Sequence, residues 1–249
     1  MTAAETVARS DMATTGEQPR NAKDNAIKLA GLAGVLSIVL GIAGVPVDQM
    51  WTFPGTSSTG TEIANYVDLH RSALLIGMIL STSAVGLWLV FGVGVWQWLR
   101  ETTGSESVLS MCFLVGLVSF VTLLLAGFTS FLVLVYRAPE AFDPRLLNDL
   151  AFGLLAMSGV PTALALGSYA ALVFRSARLP RWTAWVAAAA ALAHLVLFAS
   201  LVITSGFFSL EGGVTIAIPG MLFAWILATS VVLLRTGREG HRSATMSGA

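Results

Sequence analysis

Long apolar stretches without charge alternate with short polar segments along most of the chain. Six of the stretches reach about 20 residues, the length that an α-helix needs to cross a hydrocarbon core of about 30 Å. The pattern therefore predicts an all-α fold, a polytopic bundle of six transmembrane helices formed as three hairpins. The predicted spans are approximately Leu29–Val47, Ser72–Leu99, Val108–Val135, Leu150–Phe174, Trp182–Thr204 and Val214–Leu234.

The two ends of the chain lack this pattern. Residues 1–28 and 236–249 are polar and show no hydrophobic periodicity, which predicts disordered tails on either side of a membrane domain over 29–235. The first apolar run comes late and is nearly long enough to span. We therefore expect a retained helix and not a cleaved signal peptide.

Lys and Arg are distributed unevenly between the two sides of the six predicted spans. Eleven of the 14 fall on the side of the termini, and the other side holds Arg71, Arg137 and Arg145. Because cytoplasmic loops are enriched in Lys and Arg, the count predicts that both termini are cytoplasmic. We expect a multi-pass protein of a bacterial inner (plasma) membrane.

Composition narrows the function classes. Hydrophobic residues make up 55% of the chain and charged residues 11%, against about 25% charged in soluble domains. Every charged residue falls in a predicted tail or loop, which disfavours a voltage sensor or a carboxylate proton relay. The zero net charge gives no reason to expect a nucleic acid partner, and one cysteine, Cys112, excludes an internal disulfide and a Cys-rich metal site. The expected partner is the lipid bilayer, and no cofactor is expected.

Small residues recur at helical spacing in two spans. Such stripes let helix backbones approach closely inside a membrane, so we expect these faces to be buried in the bundle. The same feature would also suit a homo-oligomer contact or a membrane protein partner. The stripes are Gly34, Ser37, Gly41 and Gly44 in the first span and Gly159, Ala163 and Gly167 in the fourth.

The first outer loop has helical signals of its own. Thr59 followed by Glu62 matches a capping box, and apolar residues then recur at helical spacing, which predicts a short amphipathic helix on the outer surface. Trp51 and Phe53 are predicted to be aromatic anchors at headgroup depth. The candidate surface residues are Trp51, Glu62, Tyr66, Asp68 and His70; no metal is expected, since no spacing matches a recognised metal loop.

A single histidine lies within the uncharged stretch AWVAAAAALAHLVLFASLVIT of the fifth span. His194 shares its helix face with alanines, so it is predicted to point into the bundle. Ser158, Thr162 and Ser81 fall near the same depth, and a hydroxyl from this set would satisfy a buried neutral imidazole. Nearby Pro161 is interpreted either as a hinge beside a cavity or as a tolerated kink.

The segment AMSG at 156–159 resembles the Gly-x-Ser-Gly motif of rhomboid proteases, which also have six spans with the serine in the fourth. The resemblance implies that Ser158 is a nucleophile and His194 a general base. The chain departs from that family in three respects. Ala156 replaces the first glycine, the histidine is in the fifth span and not the sixth, and the long first loop is missing.

Three further segments are similar to a group of actinobacterial six-span integral membrane proteins with no assigned activity. They are WTFPGTSSTGTEIANYVDLHRSALLIG, LPRWTAW and WILATSVVLLR. The resemblance covers about residues 29–235 and implies the six-span layout without any catalytic residue.

Three functions are compatible with these features. The first is a non-enzymatic accessory or interaction protein, favoured by short loops, absent charge at depth and small-residue stripes. The second is a carrier or binding protein for an apolar small molecule or lipid, which requires a cavity near Pro161 and His194. The third is an intramembrane serine hydrolase, which requires a hydroxyl within hydrogen-bond reach of His194.

Overall fold

The structure is a computed structural model, and most of the residues that it describes are helical. It describes residues 25–44, 53–55, 57–103, 107–138, 140, 143–176, 180–203, 205–210 and 212–247. The helices are α1 (Asn25–Gly44), α2 (Gly60–Leu69), α3 (Arg71–Thr103), α4 (Val108–Arg137), α5 (Pro144–Met157), α6 (Gly159–Arg175), α7 (Arg181–Ala199) and α8 (Val214–Ser247).

Six helical segments are long and apolar enough to cross a membrane. They are Asn25–Gly44, Arg71–Glu101, Val108–Arg137, Pro144–Arg175, Arg181–Ala199 and Ala217–Thr236, the fourth combining α5 and α6. The predicted number of spans is thus confirmed for the described residues. Large apolar side chains on the outward faces are exposed in the isolated chain, as expected of helices that contact lipid. The six apolar helices identify a multi-pass membrane protein.

Several helix boundaries differ from the predicted ones. The fourth span begins at Pro144, since Asp143 accepts a hydrogen bond from the backbone N–H of Leu146 and caps the helix. The fifth ends at Ala199, earlier than predicted. At the other end of the chain, α8 runs on to Ser247 through most of the tail predicted to be disordered, because adding residues to an existing helix costs less than nucleating one.

The fourth span is interrupted between α5 and α6 at Ser158. Pro161, which is three residues further on, has no backbone N–H, so the carbonyl of Met157 lacks its usual helical partner. The sequence placed Pro161 inside the span, and the interruption one turn before it is the expected consequence of that proline. The break brings the Ser158 side chain into the bundle, where it is buried.

The predicted capping box and short helix are confirmed in α2. The Glu62 carboxylate accepts from the backbone N–H of Thr59 (2.7 Å), and the Thr59 hydroxyl accepts from the backbone N–H of Glu62 (3.3 Å). The backbone and side-chain hydrogen bonds from Thr59 lower the pKa of Glu62. Ile63 and Val67 are buried against the end of α4, so α2 is packed onto the bundle. We call this side of the molecule the α2 end.

The small-residue stripe of α1 is buried as predicted, at Gly34, Ser37, Gly41 and Gly44. A methyl group on Gly34 would overlap the hydroxyl of Ser230 in α8, and one on Gly44 would lie 2.6 Å from Ser81 Oγ in α3. The stripe therefore seats α1 between α3 and α8 within one chain.

The stripe predicted for the fourth span is confirmed only in part. Gly159 is buried, and a methyl group there would overlap the carbonyl oxygen of His194 in α7. Gly167 was expected to be packed as well, and this prediction is wrong. No atom lies within 4 Å of a methyl group built at Gly167, because α6 turns the opposite face, which carries Tyr169, toward the core.

Candidate functional site

A cavity of about 410 Å³ lies between the helices of the bundle and is lined by three of the polar residues singled out from the sequence. Its volume falls within the range of about 300–1,000 Å³ that is common for small-molecule sites. Almost all of its surface is apolar. The lining residues are Gly41, Gly44, Phe53, Leu74, Gly77, Met78, Ser81, Ala84, Val85, Trp88, Phe120, Leu124, Gly127, Phe128, Phe131, Ala151, Phe152, Leu155, Ser158, His194, Leu197, Thr215, Pro219, Gly220, Leu222 and Phe223.

The cavity is elongated and extends from the α2 end toward the middle of the bundle. Its lining follows α3 from Leu74 to Trp88, a distance of about 21 Å at the α-helical rise. Helices α1, α3, α4, α5, α7 and α8 all contribute to its walls. An elongated apolar molecule fits this shape better than a compact polar one.

Aromatic side chains line the cavity at the α2 end. The ring of Phe53 lies 5.4 Å from that of Tyr66, 5.9 Å from Phe131 and 5.7 Å from Phe152, measured between centroids. Phe53, which was predicted to be an anchor at headgroup depth, packs into this cluster. The short segment before α2 therefore contributes directly to the cavity wall.

A second aromatic group lies at the other end of the cavity. Trp88 stacks on Phe120 with ring centroids 5.5 Å apart, and its ring lies 6.0 Å from that of Phe223. These residues come from α3, α4 and α8. Large rings from three helices therefore meet where the cavity ends.

Glycines bring the helices around the cavity close together. Gly44 of α1 lies against Ser81 of α3, and a methyl group on Gly127 of α4 would lie 2.9 Å from the carbonyl oxygen of Ala151 in α5. Gly159 meets the backbone of His194 in the same way. Close contacts of this kind do not repack easily, so the cavity is framed by tight helix pairs.

His194 points into the bundle, as predicted, and is 2% exposed. Its Nδ1 lies 2.8 Å from the carbonyl oxygen of Ala190. A carbonyl only accepts, so Nδ1 carries the proton and a neutral ring keeps a lone pair on Nε2. Within the part of the chain that the structure describes, Nε2 has no hydrogen-bond partner.

The other residues of the predicted polar cluster occupy different positions. Ser158 and Ser81 line the cavity together with His194, whereas Thr162 does not. Ser158 donates to the carbonyl of Leu155 (2.6 Å) and Thr162 to that of Ser158 (2.7 Å). The predicted hydroxyl partner for the imidazole is thus replaced by the backbone carbonyl of Ala190.

In this arrangement the serine lacks the hydrogen bond to the histidine that the mechanism of a serine hydrolase requires. A nucleophilic serine gives its proton to Nε2 of the histidine, but the Ser158 hydroxyl donates to the carbonyl of Leu155 and not to His194. Both side chains face the same cavity, so the two residues stay a predicted pair. The geometry provides no observation that favours hydrolysis.

The candidate surface residues separate into two groups at the α2 end. Tyr66 and His70 are half-buried with ring centroids 4.2 Å apart, and the Nδ1 of His70 lies 2.8 Å from the carbonyl oxygen of Tyr66. Glu62 and Asp68 are exposed, and Trp51 lies outside the described residues. No group of three or more His, Cys, Asp or Glu that would suit a metal ion occurs among the described residues.

The lining phenylalanines and tryptophan were not predicted from the sequence. A phenylalanine in an apolar helix is equally compatible with lipid contact and with a cavity wall. One usable signal was present, since Phe120, Leu124, Gly127 and Phe131 recur along one face of α4. Choosing between lipid and interior for that face requires the rotation of each helix in the bundle.

A buried hydrogen-bonded cluster on the side of the bundle away from α2 was also not predicted. The Tyr169 hydroxyl of α6 donates to Thr183 Oγ1 of α7 (3.0 Å) and accepts from Thr229 Oγ1 of α8 (3.4 Å). All three side chains are buried. The cluster joins three helices but does not line the cavity, so its role is structural.

Comparisons with known proteins leave the function to be inferred from this geometry. No protein-family model, curated protein or solved structure matches the chain. The similarity to actinobacterial six-span proteins stays a prediction.

Proposed function

We propose that this multi-pass membrane protein binds an apolar small molecule or lipid in the cavity between its helices, as a carrier or a binding protein. The supporting observation is the cavity of about 410 Å³ with its almost entirely apolar lining. Small-molecule sites combine such a lining with a few placed polar groups, and here these are Ser81, Ser158, His194 and Thr215.

The cavity favours this function over a purely accessory role. An accessory protein that acts through its helix faces needs close packing, and it gains nothing from an internal space framed by large rings. Among the described residues, the rings of Trp88, Phe120 and Phe131 form part of the cavity wall. An apolar cavity destabilises a bundle unless a molecule fills it. An occupant therefore accounts for this cavity.

The proposal includes an orientation in a bacterial inner membrane. The excess of Lys and Arg on the side of the termini supports a bundle of three hairpins with both termini in the cytoplasm. The cavity then lies in the outer half of the membrane, with Phe53 and α2 on the extracytoplasmic side. An apolar occupant would reach it from the outer leaflet.

The proposal is tested by the molecules that co-purify with the protein. The full chain is extracted in mild detergent, and bound organic molecules are quantified by mass spectrometry for three proteins. Gly220→Leu adds a side chain to the cavity lining, and Gly86→Leu adds the same side chain to the outward face of α3. A methyl group at either glycine meets no atom within 4 Å, so the two substitutions are matched.

We expect one class of apolar molecule to accompany the wild-type protein and Gly86→Leu, and its amount to fall about tenfold in Gly220→Leu. A tenfold loss corresponds to about 1.4 kcal/mol of binding free energy. Equal amounts in all three proteins would mean that the co-purified molecules are lipids on the outer surface of the bundle. That result would contradict a ligand in the cavity.

A further inference from the structure

The polar groups that line the cavity restrict the chemistry of its occupant. None of the lining residues is Asp, Glu, Lys or Arg, so a charged ligand would lose its hydration without gaining a counter-charge. Four lining side chains carry accessible hydroxyl or ring-nitrogen atoms, namely Ser81, Ser158, His194 and Thr215. The occupant is therefore uncharged, and its polar part must match these four groups.

Three of the four groups have already used their protons. Ser158 donates to the carbonyl of Leu155 (2.6 Å), Thr215 donates to that of Gly212 (2.7 Å), and the Nδ1–H of His194 is directed to Ala190 (2.8 Å). Each of these bonds lies within a single helix or its first turn. These three donors are thus directed to backbone carbonyls close by in the chain.

These groups can still accept hydrogen bonds from a ligand. Nε2 of His194 is an acceptor, and the oxygens of Ser158 and Thr215 keep acceptor capacity. The indole N–H of Trp88, another donor in the lining, is covered by protein atoms. Ser81 can donate or accept, so acceptors outnumber donors on the cavity surface.

Among these acceptors, Nε2 of His194 restricts the chemistry of the occupant most. His194 is almost fully buried, and Nε2 has no partner among the described residues. Nε2 is not covered by protein atoms, and an apolar occupant that excludes water from it without supplying a donor costs free energy. An alkyl chain cannot supply that donor. The backbone of Gly159 against His194 places the neighbouring Ser158 oxygen on the same side of the cavity.

We infer that the occupant is an uncharged, elongated amphiphile whose polar group donates a hydrogen bond, as the hydroxyl of a long-chain alcohol does, and that Nε2 of His194 accepts it. The inference rests on the proposed function and makes it more specific. The apolar part lies among the rings and aliphatic side chains of the lining. His194 is then a specificity determinant and not a general base.

A matched pair of probes tests the role of the donor. Cetyl alcohol and its methyl ether have the same chain, but only the alcohol donates a hydrogen bond. Binding of each to the full chain, purified and stripped of lipid in detergent, is measured by native mass spectrometry. We expect the alcohol to bind about tenfold more tightly, as a buried hydrogen bond at an otherwise unpaired acceptor provides.

The variant His194→Phe keeps a flat ring and removes the acceptor. It should lower the ratio of alcohol to ether affinity from about ten to about one. The ratio is measured within each protein, so a general loss of stability does not imitate the effect. His194→Leu, which also removes the acceptor, is measured in its place if His194→Phe is not recovered.

The outcomes separate the two proposals. Equal binding of alcohol and ether to the wild-type protein, with both weakened by Gly220→Leu, would overturn the hydrogen-bond inference and leave the cavity function supported. A tenfold preference that persists in His194→Phe would also overturn it. Absence of any binding that responds to Gly220→Leu would overturn the proposed function itself.

Discussion

Single polar residues inside this bundle are satisfied mainly by the backbone of their own helix. His194, Ser158 and Thr162 all bond to carbonyls three or four residues earlier. This explains why the sequence predicted the inward direction of His194 correctly and its partner incorrectly. Helix periodicity determines which way a side chain points, but an i−4 carbonyl is always within reach and competes with any residue of another helix.

Tyr169 departs from this pattern, because its hydrogen bonds cross between helices. Its hydroxyl connects Thr183 and Thr229 in a buried position. Tyr169→Phe removes this oxygen and keeps the ring contact with Trp225, whose centroid lies 5.2 Å away. The cluster could not be predicted from the sequence, since each of its members alone is an ordinary residue of an apolar helix.

We expect Tyr169→Phe to destabilise the bundle by about 1 kcal/mol, the usual net contribution of an interhelical hydrogen bond. The measurement is the midpoint of thermal unfolding in detergent. Tyr136→Phe serves as the control, since Tyr136 is 65% exposed and should leave the midpoint unchanged. An equal effect of both substitutions would show that the cluster contributes nothing specific.

Pairs of helices are held together by close contacts at individual glycines. The prediction from small-residue spacing was confirmed for α1 and failed at Gly167 of α6. The spacing of small residues defines a face, but it does not determine how much of that face another helix covers. In α6 a close backbone contact with α7 occurs at Gly159, whereas no atom comes within 4 Å of a methyl group built at Gly167.

The same substitution at two glycines of α6 tests this contact. A methyl group at Gly159 would overlap the carbonyl oxygen of His194, whereas one at Gly167 meets open space. We expect Gly159→Ala to destabilise the protein by about 1–3 kcal/mol and Gly167→Ala to be neutral or slightly stabilising. Thermal unfolding in detergent measures both. A stable Gly159→Ala protein would mean that α6 and α7 are not in close contact at this point.

At the scale of the whole molecule, the sequence predicted the six spans well, since apolar length alone decides whether a helix can cross a membrane. It did not predict the cavity. An internal space depends on how each of the six helices is rotated and on where large rings oppose one another, and neither is encoded in the length or composition of a single span. The cavity and the hydrogen-bonded cluster therefore required the structure.

The most direct test of the proposed layout, six crossings with both ends in the cytoplasm, is a map of cysteine accessibility. Single cysteines are introduced into a Cys112→Ser background, one at each end and one in each connection, and intact cells are treated with a membrane-impermeant maleimide. The positions are Lys23, Ser57, Ser107, Glu140, Pro180, Ser205 and Thr236.

Six crossings with cytoplasmic ends predict that labelling alternates along the chain. Cysteines at Ser57, Glu140 and Ser205 should react in intact cells, and the other four should react only after the membrane is permeabilised. Reaction of either terminal position in intact cells, or two successive positions with the same accessibility, would contradict six crossings with cytoplasmic ends.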